Sequence, residues 1–288
     1  MNFLVVGANS VAGRNAIKAI RKYNENATVI GTTVGNDPIA HVDVTLNNID
    51  LANRFAAGKV AYEIAEQPLH GIIYTPAFGK VGLPIDRSTT EDVNFSLNFS
   101  FRPMLSLIQK LQPEIAIAFS GFYWLEALLH AYGAMAMTKT AMEEVAIAYP
   151  KQLKIVRSGL FKSKSLRGIL LLIQRTLTKD LYEELRPFHH EWRDSGLKFQ
   201  EYFYEFAYRC ERELFEQKFD EPYRHTTEDD IIDGVLHVLH GEDAPIYNVL
   251  GSMRWPEYEM PELPAVIEKG KSLIPDDLKP YFSEPAVI

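Results

Sequence analysis

Short apolar runs alternate with helical patterns along the first 160 residues of this 288-residue chain. Residues 3–6, 27–30, 41–44, 71–74, 115–119 and 153–157 read as strands. Several of these runs are apolar almost throughout, the pattern of strands buried on both faces of a parallel sheet. Helical patterns occupy residues 14–23, 51–57, 61–65, 90–111 and 132–148, with Pro103 a local irregularity in the fourth. Parallel neighbours require long crossovers, and right-handed crossovers wind such a sheet outward in both directions. The expected fold class is therefore α/β, a doubly wound parallel sheet.

The alternation breaks between residues 159 and 225, a helical stretch rich in aromatics such as Trp192, Phe199, Tyr202, Phe203 and Phe206. It resumes with a helix opening at Thr227 and an apolar run at 244–249, read as the last strand. Six prolines follow Trp255, so 253–288 reads as an extended tail. No long unpaired linker is visible, and residues 1–288 are read as one domain. A net charge of −8 argues against a nucleic-acid partner. The longest apolar run, 168–173, is too short to span a bilayer. Cys210 is the single cysteine, so an internal disulfide is excluded. The chain opens on an apolar strand without a basic leader, and a cytoplasmic protein is expected. His189-His190-Glu191 does not read as a metal site, because adjacent helical residues point apart.

The turn after the first strand reads Val6-Gly-Ala-Asn-Ser-Val-Ala-Gly13. Gly7 permits a tight turn, and Gly13 allows close approach of backbone to a pyrophosphate at a helix N-terminus. Only two glycines are present, and Val11 stands where a middle glycine is common, so a tight turn without ligand remains open. Its place at the end of a first strand favours a dinucleotide.

Downstream, Tyr132 and Lys139 lie seven residues apart in a run of helix formers. That is nearly two turns, which would bring both side chains to one face. A phenol and an ammonium so placed suggest proton and hydride chemistry on a nicotinamide cofactor.

From about residue 2 to residue 252 the chain resembles the short-chain dehydrogenase/reductase superfamily, which implies a Rossmann-type NAD(P)-binding domain. Gly7, Asn9, Ser10, Val11 and Gly13 match its phosphate loop. Thr32 falls at the end of the second strand, and Asp43-Val44 matches the pair used against adenine. Asn98 lies near the helix asparagine, Lys139 matches the active-site lysine, and 226–229 resembles the C-terminal end. No acid follows the second strand until Asp37, and no basic residue replaces it, so NAD or NADP is expected without a choice between them.

The common form of the motif places tyrosine four residues before the lysine and serine thirteen before the tyrosine. Those positions hold Met135 and Phe122, and Ser120 is two residues out of register. Enoyl-acyl carrier protein reductases of the same superfamily place tyrosine seven before lysine, commonly as Tyr-Asn-x-Met-x-x-Ala-Lys-x-Ala-Leu-Glu. Here Tyr132, Met135, Lys139, Ala141 and Glu143 fall in that register. Tyr123, nine before Tyr132, matches a second aromatic, and the segment holding Pro76 and Ala77 resembles the strand end beside the nicotinamide.

The resemblance implies reduction of an α,β-unsaturated thioester or a related C=O. Tyr132 would hydrogen-bond the substrate oxygen. Lys139 would hold the nicotinamide ribose and favour the ionised phenol. Tyr123 would line or gate the pocket, with 159–225 as a helical lid over a small molecule bearing an apolar part. Homo-oligomers are usual in the superfamily. The alternative is a non-catalytic NAD(P)-binding or interaction protein, and whether Tyr132 or only Met135 faces the cofactor discriminates the two.

Overall fold

The structure is a computed structural model and describes residues 1–64, 67–241 and 243–282. Ala65 of the expected second helical piece and residues 283–288 of the expected tail lie outside them. In chain order the elements are β1 (Asn2–Val6), α1 (Val11–Tyr23), β2 (Thr28–Thr32), β3 (Val44–Leu46), α2 (Ala56–Ile64), β4 (Gly71–Tyr74), α3 (Thr90–Ser100), α4 (Arg102–Leu111), β5 (Ile115–Gly121), α5 (Glu126–Leu129), α6 (Ala134–Ala148) and β6 (Leu153–Ser158). There follow α7 (Lys164–Thr178), α8 (Arg186–Ser195), α9 (Phe199–Glu216), α10 (Glu228–Leu239), β7 (Ile246–Leu250), β8 (Met253–Glu257) and α11 (Ala265–Gly270).

The strands form one sheet in the order β3-β2-β1-β4-β5-β6-β7-β8. All pairs are parallel except β7 with β8. Residues of β1 alternate between two cores. Phe3 and Val5 pack with α1 and α10 on one face, and Leu4 and Val6 with α2, α3, α4 and α6 on the other. The strand order reverses between β1 and β4, so a crevice opens beyond their C-terminal ends, the usual ligand position in such sheets.

Several expectations change. The third strand, expected over 41–44, is Val44–Leu46, and the pieces expected over 51–57 and 61–65 give one helix, Ala56–Ile64. The single helix over 90–111 is two helices, because Pro103 lies in the first turn of α4 and its ring cannot continue α3. The tail is not a loose extension over its described part: it forms a strand, a short helix and 3-10 turns. Met253–Glu257 pairs antiparallel with β7, and Pro256 is tolerated because β8 is an edge strand.

Residues beyond β8 then pack over α6. Ile267, Ile274 and Leu278 share the core of Met137 and Met142. Lys271 pairs with Glu144 at 3.1 Å, and Arg102 with Asp277 at 2.9 Å. With the sheet beneath and this segment above, α6 is buried almost all round, its polar Thr138, Lys139, Thr140 and Glu143 included.

The insertion after β6 builds its own core. Leu170 and Ile173 of α7, Phe188 and Trp192 of α8, and Phe199 and Phe203 of α9 pack together. Glu211 of α9 joins the two ends of the insertion, accepting from the Leu160 amide and the Tyr223 hydroxyl.

Candidate active site

A cavity of about 890 Å³ lies beyond the C-terminal ends of β1, β4, β5 and β6, with α7 along one side. Its β1 end is the first turn. Gly7 has φ +75°, and an added Cβ would stand 2.7 Å from the Thr75 hydroxyl after β4. That hydroxyl donates to the Val6 carbonyl at 2.8 Å and lies 3.0 Å from Ser10 Oγ, closing the crevice between the two strands. Ser10 caps α1 by accepting from the Gly13 amide at 2.9 Å. The first turn of α1 carries no acidic residue, so its amides and dipole favour an anion. Gly7, Ser10, Val11 and Ala12 line the cavity, as do Thr75, Pro76 and Ala77. These residues fit the pyrophosphate of a dinucleotide.

Six other residues expected at the cofactor lie elsewhere. Gly13 packs against the turn, where an added Cβ would stand 2.5 Å from the Gly7 carbonyl oxygen, and does not line the cavity. Asn9 donates to Thr33 Oγ1 at 3.0 Å, and Thr32 Oγ1 accepts from the Gly7 amide at 3.1 Å. Both brace the first turn and neither lines the cavity. Asp43 precedes β3, so it sits at the wrong end of the strand for the crevice, with Val44 beside it. Its carboxylate is drawn to the Val29 amide at 2.7 Å and to Arg21 at 2.8 Å. Those contacts, led by the Val29 amide, hold its pKa below the usual range. The exposed Asn98 accepts from Arg102 at 2.8 Å, and Arg102 reaches on to Asp277, so Asn98 faces the tail.

At the chemical end the tyrosine and lysine arrive by different routes. Lys139 belongs to α6 and is 4% exposed. Its Nζ donates to the Phe119 carbonyl at 2.6 Å, next to Ser120. Burial lowers its pKa to about 8, partly offset by the Glu143 carboxylate one turn along the helix. Tyr132 lies before α6, bridged to Leu83. Gly133 turns the chain into the helix at φ +47°. The expected helix over 132–148 thus begins at Ala134.

Tyr132, Met135 and Lys139 all line the cavity. Burial, then the Glu143 charge, push the Tyr132 phenol up to about 12. That is opposite to the eased ionisation expected from a neighbouring lysine. Met135 is 2% exposed and packs beneath the loop after β4, its Sδ 4.0 Å from Ser100 Oγ.

Tyr123 does not reach the cavity. It is fully buried and donates to Glu143 Oε2 at 3.2 Å. Glu143 also pairs with the buried Arg157 at 2.7 Å, so Tyr123 serves an internal ion pair rather than a gate. Ser120, set aside by residue counting, does line the cavity. It is 7% exposed, and its hydroxyl has no hydrogen-bond partner among the described residues. Thr75 was also missed, although its position just past β4 at the strand-order reversal could have signalled it. The insertion contributes chiefly through α7, including Leu166, Ile169, Leu171 and Leu172, while most of its aromatics stay in their own core. Among the described residues no group of His, Cys, Asp or Glu could hold a metal ion, and no helix is long and apolar enough to cross a membrane.

No family model matches this chain, and no curated protein matches it in sequence. Its fold does match solved structures. An enoyl-(acyl-carrier-protein) reductase from Anaplasma phagocytophilum, in complex with NAD, superposes with a TM-score of 0.59 at 15% identity, covering 86% of this chain and 92% of that one. A short chain dehydrogenase family protein from Francisella tularensis gives 0.58 at 16% identity, covering 84% and 92%. YwfH, an NADPH dependent reductase involved in bacilysin biosynthesis, gives 0.50 at 14% identity, covering 62% and 82%. The chain therefore has the fold of short-chain dehydrogenase/reductase proteins.

Proposed function

We propose that this protein is an NAD(P)H-dependent oxidoreductase that reduces an activated C=C bond, as in an enoyl thioester, or a C=O bond. The observation that carries the reading is convergence. Tyr132, Lys139 and Ser120 line one cavity with the N-terminus of α1.

The bound nicotinamide would supply the hydride, with its pyrophosphate held by the Gly7–Ala12 turn. The chain's residues would manage the charge that develops on the substrate oxygen. With its phenol at about 12, Tyr132 stays protonated at neutral pH and acts as a donor. Ser120 offers a second hydroxyl. Donors already in place where negative charge develops lower the barrier without reorganisation. Lys139 brings positive charge to the same wall and has donor capacity beyond its bond to Phe119. Apolar side chains of α7 would exclude water and receive the apolar part of the substrate, which makes the insertion a lid. The cavity position of Tyr132 favours catalysis over a binding-only role.

The test combines two measurements. NADH or NADPH should raise the melting temperature through binding to the native state. Cofactor oxidation should then appear with at least one member of a panel of enoyl thioesters, quinones and ketones. A melting temperature unmoved by either cofactor would overturn the reading.

A further inference from the structure

Three charged side chains line the cavity: Lys139, Glu211 and Arg175. Lys139 donates to the Phe119 carbonyl, and Glu211 accepts from Leu160 and Tyr223. Arg175 has no side-chain hydrogen bond or ion pair among the described residues. The acids that follow α7 are committed elsewhere, Asp180 and Glu183 to Arg186 and Glu184 to Arg87.

Arg175 is exposed, yet its backbone position is fixed. The next residue, Thr176, is buried and donates to the Gly82 carbonyl, which docks α7 on the loop after β4. One turn earlier on the same helix face, Leu171 lines the cavity while 61% exposed, and Leu172 beside it is 45% exposed. The mouth thus combines an open apolar rim with an unpaired guanidinium. A neutral apolar ligand would use the rim and leave the guanidinium idle, whereas an amphiphile with an anionic end uses both. Guanidinium matches carboxylate and phosphate oxygens with paired donors.

We infer that the substrate is an apolar molecule that carries an anionic group, and that Arg175 selects it. This rests on the apolar-slot reading above. The anion is a carboxylate or a phosphate monoester, which present the same oxygen chemistry to Arg175.

Binding of octanoate, octyl phosphate and octanol, measured by titration calorimetry, tests the inference without turnover. The wild-type protein should bind at least one anion about twofold to fivefold more tightly than octanol, the scale of an exposed ion pair. The preferred anion identifies the source. Arg175→Ala should erase that preference and leave octanol binding unchanged, while Arg175→Lys should keep part of it. Equal binding of all three probes by the wild-type protein would overturn the inference and leave the slot intact. Loss of the NADH-induced melting shift in Arg175→Ala would reassign the residue to the cofactor and also overturn it. Failure of every probe to bind would remove the apolar slot itself.

Discussion

Lys139 belongs to α6 and Tyr132 does not. The phenol comes from a residue bridged to Leu83, and a single glycine separates it from the helix that carries the ammonium. The two groups are therefore held by separate anchors, the loop after β4 for one and the end of β5 for the other. Changes that leave the helix intact can still move the tyrosine.

Gly133→Ala is the most direct test of that arrangement. A Cβ there would stand 2.7 Å from the Lys80 carbonyl oxygen and 2.9 Å from Leu83 Cδ2, on a backbone with φ +47°. Strain of this kind costs about 1–3 kcal/mol. The variant should lose roughly that much stability in denaturant melts and should lose turnover as well. An alanine protein with unchanged stability and kcat would refute the proposed anchoring.

Tyr132→Phe removes one hydroxyl and little else. Removal of one donor to a developing oxyanion typically lowers kcat by about 10²–10³. The melting shift with NADH should persist, since the first turn of α1 is untouched. Turnover equal to the wild type would exclude the phenol as donor.

Lys139 makes activity and stability respond oppositely to alkali. Burial lowers its pKa to about 8, against 10.5 ordinarily. Activity that needs the ammonium should fall as pH rises through about 8. Stability should do the reverse. Between the folded and unfolded pKa values the unfolded chain holds a proton that the folded chain has lost, so stability rises with pH. That contribution is complete above the ordinary lysine value and is lost as pH falls through about 8. Lys139→Met should abolish the rise; pH-rate profiles and melts across the same range provide the check.

Glu211 works in the other direction. Burial raises its pKa from 4.5 to about 7, despite hydrogen bonds from Tyr223 and Leu160 that oppose the shift. Between those values the folded chain keeps a proton that the unfolded chain has released. Its stabilising contribution is complete below 4.5 and is lost as pH rises through about 7. Glu211→Gln should flatten this part of the stability profile. A profile identical to the wild type would show that the carboxyl titrates normally.

The parallel sheet was legible because buried strands write themselves as apolar runs, and β1 and β4 emerge at or next to the expected residues. β8 was not legible. Arg254 and Pro256 make 253–257 resemble a tail, and only pairing with β7 makes it a strand. Counting along the motif found Tyr132 and Lys139, yet it set aside Ser120, because distance along a chain does not fix position once α5 and a glycine turn intervene. Asp43 failed for a related reason: its two-residue motif was recognisable, but its register on β3 was not. Tyr123 looked available because sequence cannot reveal that Glu143 and Arg157 would claim it.

The segment packed over α6 ties the order of assembly to the reactive centre. Ile267, Ile274 and Leu278 leave the ribosome only after β7 and β8. Until then the helix that carries Lys139 has an oily flank facing water. Because the sealing segment lies far along the chain from the helix it covers, this contact is of the non-local kind that slows folding.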